Sequence, residues 1–224
     1  MDVCKYCKSK SLATNKLEDS EIEELEHSCV SVDFSKGEII FKQNALSSNV
    51  IYIRTGLVKV HIKGPDRDQI LKIAKGPTYL GIPTTLGDKV NNYSATSLTP
   101  VSVCFVDIRT FHQFIEHNNE FAYEIILDLC KEELSHYHRC VNQVQKHSAG
   151  RLADALLFFA DEIYSSNTFN LPLSRSELGD LTGNSRESVS RILAEFDQQQ
   201  IIRLKSRSIT IVNRNLLEEY GKNG

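Results

Sequence analysis

The stretch from Ser174 to Leu193 leaves the backbone few choices. Ser174 suits a helix N-cap, and Glu177 three residues later completes a capping box. Leu178 and Leu181 then face inward, and Gly179 is small where two helices must approach closely. Gly183 supplies the left-handed backbone of a tight turn. Ser185 caps a second helix, whose buried stripe is Val189, Ile192 and Leu193. A plain helical hairpin needs the same apolar stripe. Here capping, small, turn and core residues all agree in register, which predicts a helix-turn-helix.

The solvent face of the second helix begins with Arg186, Glu187, Ser190 and Arg191. Such side chains suit base edges in a major groove. Arginine donates twice to guanine O6 and N7, and glutamate accepts from the cytosine amino group. Ser185 and Ser190 can bond a nearby base or phosphate. From Ile201 to Val212 apolar and polar residues alternate around Lys205-Ser206-Arg207-Ser208, which predicts a β-hairpin wing with a basic tip near phosphates. The net charge of −3 does not suit a protein that coats nucleic acid indiscriminately. The charge is polarised instead: Glu18 to Glu26 carries acids and no base, and Arg203 to Arg214 carries bases and no acid.

The rest of the chain has two textures. Glu38–Lys42, Val50–Thr55, Leu57–Ile62, Gln69–Ile73 and Val101–Asp107 are short, rich in Val and Ile, and separated by Gly, Pro and Asp. That pattern predicts an antiparallel sandwich or barrel. Residues 17–27 read as a short surface helix, and residues 1–16 as a polar tail holding Cys4-x-x-Cys7. From about Asn118 to Lys146 there is no Gly or Pro. Leu127, Cys130, Leu134, Tyr137, Val141 and Val144 alternate at spacings of three and four, the seam of a two-stranded coiled coil. A second helix follows from Ala149 to about Tyr164, with Leu152, Leu156, Phe159 and Ile163 on its apolar face. The fold class expected is α+β. Residues 1–117 are expected to form a tail and this strand-rich domain, a β-roll by the resemblance given next, 118–147 a dimerisation helix, and 148–224 a winged helix-turn-helix.

In this layout the chain resembles the CRP/FNR family, the cyclic-AMP receptor protein and the oxygen-sensing fumarate–nitrate reduction regulator. The resemblance rests on Lys36-Gly37-Glu38, on Ile51-Tyr52-Ile53-Arg54-Thr55-Gly56-Leu57-Val58-Lys59-Val60, and above all on Ser185-Arg186-Glu187-Ser188-Val189-Ser190-Arg191-Ile192-Leu193. It implies a jelly roll of the cyclic-nucleotide-binding type and a homodimeric bacterial transcription regulator. Its partners would be duplex DNA and RNA polymerase. Glu187 and Arg191 become base-reading positions. Arg186 is similar to the cyclic-AMP branch and Ser190 to the oxygen-sensing branch. With Arg186 present, the implied half-site is nearer TGTGA than TTGAT.

The effector is a separate matter. Family members that bind cyclic AMP hold its ribose with Gly-Glu and its phosphate with Arg-Ser. The matching positions here are Gly81-Ile82 and Tyr93-Ser94, without the glutamate and the arginine. A phosphodiester without its cation loses charge-assisted hydrogen bonds, so cyclic AMP is not the expected effector. The oxygen-sensing branch binds a [4Fe–4S] cluster through Cys-x2-Cys-x5-Cys and one distant cysteine. Cys4, Cys7 and Cys104 match, but Ala13 stands where the third ligand would fall. A fourth ligand would have to come from Cys29, a carboxylate or outside, or Cys104 is simply a small core residue. Some relatives bind haem. His61 lies in a strand and His136 and His138 flank the seam, while His27, His112 and His117 read as surface residues. Cys130 and Cys140 read as packing residues of the long helix.

Two other classes deserve weight. Cys4-x-x-Cys7 could make a dithiol redox protein, but it lies on a polar tail and not where a strand meets a helix. A nucleotide-binding regulatory module without DNA contact would not need the helix-turn-helix. No Ser/His/Asp arrangement, phosphate loop or His-Glu-x-x-His points to an enzyme. Without a signal-peptide core or an apolar span of about 18 residues, a cytoplasmic location away from membranes is expected, with reduced thiols.

Overall fold

The computed structural model describes residues 10–223. The chain divides into two compact units. One comprises the residues up to Pro65 with Leu71–Leu134, the other Asp66–Ile70 with the residues from Ser135 onward.

The first unit opens with α1 (Asp19–Ser28), capped reciprocally by Glu18 and Glu21. Strands β1 (Cys29–Phe34), β2 (Ile39–Phe41), β3 (Asn49–Thr55), β4 (Leu57–Lys63), β5 (Asp68–Lys75) and β6 (Thr78–Leu80) follow. After the short α2 (Ile82–Leu86) come β7 (Ser94–Ser97), β8 (Val101–Asp107) and α3 (Ile108–His117). The strands form two four-stranded sheets, ordered β1-β8-β3-β6 and β2-β7-β4-β5. This is the expected β-roll. Strands β1, β6 and β7 were not legible: β6 has three residues, and β7 is Ser-Ala-Thr-Ser.

Alternation along β3 explains the layers. Ile51 and Ile53 join Val58, Val60, Ala95 and Val103 in a core between the sheets. Val50 and Tyr52 point the other way, to a second core with Leu25 of α1 and Phe111 and Phe114 of α3. Both faces of the strand are covered, so it reads as a continuous apolar run. Tyr79, Phe111 and Phe121 pack edge-on at ring separations of 5.5–6.2 Å. Burying each such ring contributes about 1.5–3 kcal/mol.

Residues 11–16 are not the polar tail expected. Ala13 is fully buried and Ser11 and Thr14 nearly so. Their polar groups are matched: the Ser11 backbone N–H donates to the Tyr52 hydroxyl at 2.7 Å, and the Thr14 and Tyr79 hydroxyls lie 2.9 Å apart. Cys4 and Cys7 lie outside the described residues.

Helix α4 (Asn119–Gln145) is unbroken, as its lack of Gly and Pro requires. Phe121 and Ile125 are buried, whereas Leu134, Tyr137, Val141 and Val144 are at least half exposed. Cys130, on the same seam, and Cys140 are exposed too.

The second unit contains α5 (Ser148–Phe158), running into a wider π turn over Phe159–Tyr164 where a single α-helix was expected. Leu152, Leu156, Phe159 and Ile163 are buried as foreseen. Then come β9 (Thr168–Asn170), α6 (Arg175–Thr182), α7 (Arg186–Gln198), β10 (Ile202–Lys205), β11 (Ser208–Ile211) and α8 (Arg214–Asn223). The three strands pair in the order β10-β11-β9.

Candidate nucleic-acid interface

The turn between α6 and α7 is built from short-range hydrogen bonds. Ser174 Oγ accepts from the Glu177 N–H at 3.2 Å, and the Glu177 carboxylate accepts from the Ser174 N–H at 2.8 Å. Gly183 ends α6 at φ 67°, a conformation that disfavours any side chain. A Cβ on Gly179 would lie 2.5 Å from the Asn184 carbonyl oxygen, which makes glycine obligatory there. Ser185 Oγ accepts from the Ser188 N–H at 3.1 Å and opens α7. Val189, Ile192 and Leu193 are buried, joined by Phe196. Leu178 is buried, but Leu181 is only half-buried.

Sequence reasoning missed the brace behind this turn. Arg151 Nε donates to the Thr182 carbonyl at 2.7 Å, and its Nη2 to Asn184 Oδ1 at 3.0 Å. Its Nη1 donates to the Lys146 carbonyl at the end of α4. Asn184, itself buried, donates to Thr182 Oγ1 at 2.9 Å. One guanidinium therefore joins the end of the long helix to the start of the recognition helix. Arginine's planar fork suits this because its donors are already oriented.

The predicted reading residues stand together. Arg186, Glu187, Ser190 and Arg191 are all exposed on the first two turns of α7. Two carry local partners: Ser190 Oγ donates to the Arg186 carbonyl at 2.9 Å, and Arg191 pairs with Glu195 at 2.7 Å. Exposed pairs of this kind contribute only about 0.3–0.5 kcal/mol, so Arg191 is readily released to a base. Lys205 and Arg207 are exposed at the β10–β11 turn, where Ser206 takes φ 58°. Arg175, not singled out in the sequence, donates to the Ser206 carbonyl at 3.4 Å and links α6 to that turn. Burial lowers its pKa.

The pocket of the first unit differs from expectation in one residue. Gly81, Ile82 and Tyr93 line it with Lys72, Asp128 and Glu132. Ser94 does not line it; its hydroxyl accepts from the Gln43 N–H at 2.9 Å. Lys72 is ion-paired to Glu132, so the cation is neutralised where it stands. Burial raises the Asp128 carboxyl and the Tyr93 phenol above their ordinary values, the latter helped by Glu132. The cavity is about 30 Å³, room for a water or two. Its three charged side chains are two carboxylates and one committed lysine, an arrangement hostile to a phosphodiester.

Cys104 lies on β8, buried beside Cys29. A hydrogen bond from Cys29 outweighs the cost of burial and, with Arg54 and Ser31, holds the Cys104 thiol down at about 7. Ala13 is in the core and offers no ligand. Of the thiols a [4Fe–4S] cluster would take, Cys104 and Cys29 lie side by side here, and Cys4 and Cys7 lie outside the described residues. Among the described residues no cluster of three or more His, Cys, Asp or Glu could hold a metal ion. His61 bonds Thr96 Oγ1 at 3.0 Å, a structural role. No helix among the described residues is long and apolar enough to cross a membrane.

Comparisons with known proteins agree with this architecture. The family model of the cyclic nucleotide-binding domain matches residues 31–118, and that of the Crp-like helix-turn-helix domain residues 150–220. The nitrogen fixation regulation protein FixK of Bradyrhizobium diazoefficiens is 27% identical over 94% of this chain and 90% of its own. The CRP-like cAMP-activated global transcriptional regulator of Mycobacterium tuberculosis is 26% identical over 87% and 89%. The structure of FixK2 from Bradyrhizobium japonicum has the same fold, with a TM-score of 0.78 at 21% identity, over 86% of this chain and 96% of that one. With a cyclic-nucleotide-binding-type domain, a long helix and a winged helix-turn-helix in this order, the chain belongs to the CRP/FNR family of transcription regulators.

Proposed function

We propose that the chain acts as a homodimer that reads an inverted-repeat operator through α7, under control of a signal received by the β-roll. The observation that carries this reading is the exposed Arg186, Glu187, Ser190 and Arg191 at the capped start of α7. Arg186 and Arg191 each suit a guanine and Glu187 a cytosine. Ser185, Lys205 and Arg207 serve the phosphates. The exposed apolar residues of α4 support the dimer, because Leu134 and Val141 have no cover in their own chain. The functional division is 1–117 for sensing, 118–147 for pairing and 148–224 for DNA. The site of action is the cytoplasm, with RNA polymerase as further partner.

The pocket supports an effector other than cyclic AMP, since Glu132 neutralises the lysine that would face a phosphate. The related regulator of Mycobacterium tuberculosis is named for cAMP activation, so calorimetry with cyclic AMP is a direct comparison. Micromolar affinity here would overturn this part of the reading.

The test of DNA binding is a salt titration on duplex DNA. The logarithm of affinity should fall linearly with the logarithm of salt concentration. Lys205→Ala and Arg207→Ala should weaken all sequences similarly, each lowering the slope by about one. A protein that binds duplex DNA no better than the doubly substituted variant, at any salt, would contradict the reading.

A further inference from the structure

The second unit includes a segment from much earlier in the chain, Asp66–Ile70, at the turn from β4 into β5. It lies far outside 148–224, the stretch expected to bind DNA. Two of its side chains hold the turn that launches α7. Arg67 Nη1 donates to the Asn184 carbonyl at 2.8 Å and stands 3.9 Å from the Asp180 carboxylate. Gln69 Nε2 donates to the Asp180 carbonyl.

These bonds fall where the backbone needs them. A helix leaves its last carbonyls without intrahelical donors. At the end of α6 the backbone closes one of them itself, since the Gly179 carbonyl accepts from the Gly183 and Asn184 N–H groups. Side chains take two more: Gln69 bonds the Asp180 carbonyl and Arg151 the Thr182 carbonyl. A cation at a helix C-terminus is also favoured by the helix dipole. The Asn184 carbonyl belongs to the peptide that leads into Ser185, the cap of α7, and Arg186 follows directly. Arg67 therefore fixes the peptide plane from which the reading helix starts. Hydrogen bonds weaken steeply as they bend, so a small rotation of that peptide costs discrimination at base edges.

We propose that Arg67 and Gln69 are positioning residues for DNA reading. They hold the α6–α7 turn from outside the helix-turn-helix and contact neither base nor phosphate. The inference rests on α7 being the reading helix. It adds Asp66–Ile70 to the DNA-reading part of the chain, and a shift of this segment withdraws two donors from the turn.

The test compares two duplexes: one enriched by the full chain from a random pool, and a scrambled duplex of equal length. Arg67→Ala and Gln69→Ala should each lower affinity for the enriched duplex about three- to tenfold, the net value of one hydrogen bond. Affinity for the scrambled duplex and the salt slope should stay as they are in the unsubstituted chain, because no phosphate contact is lost. Arg67→Lys keeps a charged donor and should recover most of the loss. The Arg67 side chain is 48% exposed, so its truncation leaves the core untouched. A salt slope reduced by about one in Arg67→Ala would make this residue a phosphate contact and overturn the proposal. So would a lowered unfolding midpoint with both affinities falling together, the mark of a merely structural role. Unchanged or tighter binding to the enriched duplex by both alanine variants would overturn it alone, leaving the reading of α7 intact. If the unsubstituted chain enriches no duplex, that reading fails and the inference with it.

Discussion

The two units keep their chemistry in opposite places. The second exposes it: Arg186, Glu187, Ser190 and Arg191 stand in solvent on a helix whose cap and turn are fixed by hydrogen bonds from its own neighbourhood. The first withdraws it from solvent: the half-buried Lys72 is matched to the half-buried Glu132, and Cys104 is buried beside Cys29. The difference follows from what each must meet. A duplex is larger than the domain and has to be approached by a convex, rigid edge. A small signal has to be enclosed before it can bias a fold, so the groups around the pocket are assembled from separate elements, β5, β6 and α4 among them.

The first way to break this comparison is to remove what makes two reading edges act as one. Leu134→Asp with Val141→Asp places charges on the exposed apolar stripe of α4. The expected product is a folded monomer by ultracentrifugation, with affinity for a two-half-site duplex reduced by about 10²–10⁴-fold through loss of linkage. A dimeric double variant would remove the stripe from the account.

A smaller effect is expected from the turn itself. Gly179→Val forces a side chain onto the Asn184 carbonyl oxygen. It should destabilise the second unit by about 1–3 kcal/mol. Chemical denaturation followed by far-UV circular dichroism measures this. The reactivity of Cys104, in the first unit, should be unchanged. A variant with unaltered stability would show that α6 and α7 can part without cost.

The smallest effect concerns the buried side. Favouring the thiolate makes Cys104 alkylation rise with pH around a midpoint of about 7. Removing a donor to the thiolate moves that midpoint up, toward the ordinary thiol value near 8.5. Cys29→Ala should raise it more than Arg54→Gln, because the Cys29 hydrogen bond is the larger influence. Iodoacetamide rates from pH 5 to 10 test the order. A midpoint unmoved by both substitutions would mean that the cluster does not act on Cys104.

The same contrast governs what could be read from the chain. Ser174, Glu177, Gly179, Gly183 and Ser185 act on residues within a turn or two of themselves, so their spacing alone revealed the helix-turn-helix. Tyr93 and Gly81 were legible as pocket residues only through family resemblance. Lys72, Asp128 and Glu132 were not, because they come from β5 and α4 and meet only when the chain folds. Arg151 escaped notice for the same reason: nothing local distinguishes it from other helical arginines, yet it bonds the Thr182 carbonyl. Ala13 illustrates the converse. As a missing ligand it was conspicuous, and its burial among Leu17, Ile22 and Phe111 gives it a structural reason to be small and apolar.

The most direct test of the central claim, that α7 reads an inverted repeat, is selection from random duplexes by the full chain and by Arg186→Val. The account predicts an enriched inverted repeat whose half-sites place two recognition helices about 34 Å apart on one face of the duplex. Arg186→Val should lose or shift the preference at one base pair in each half-site, a discrimination of about 1–3 kcal/mol. Enrichment of no inverted repeat, or of the same motif unchanged by Arg186→Val, would contradict it.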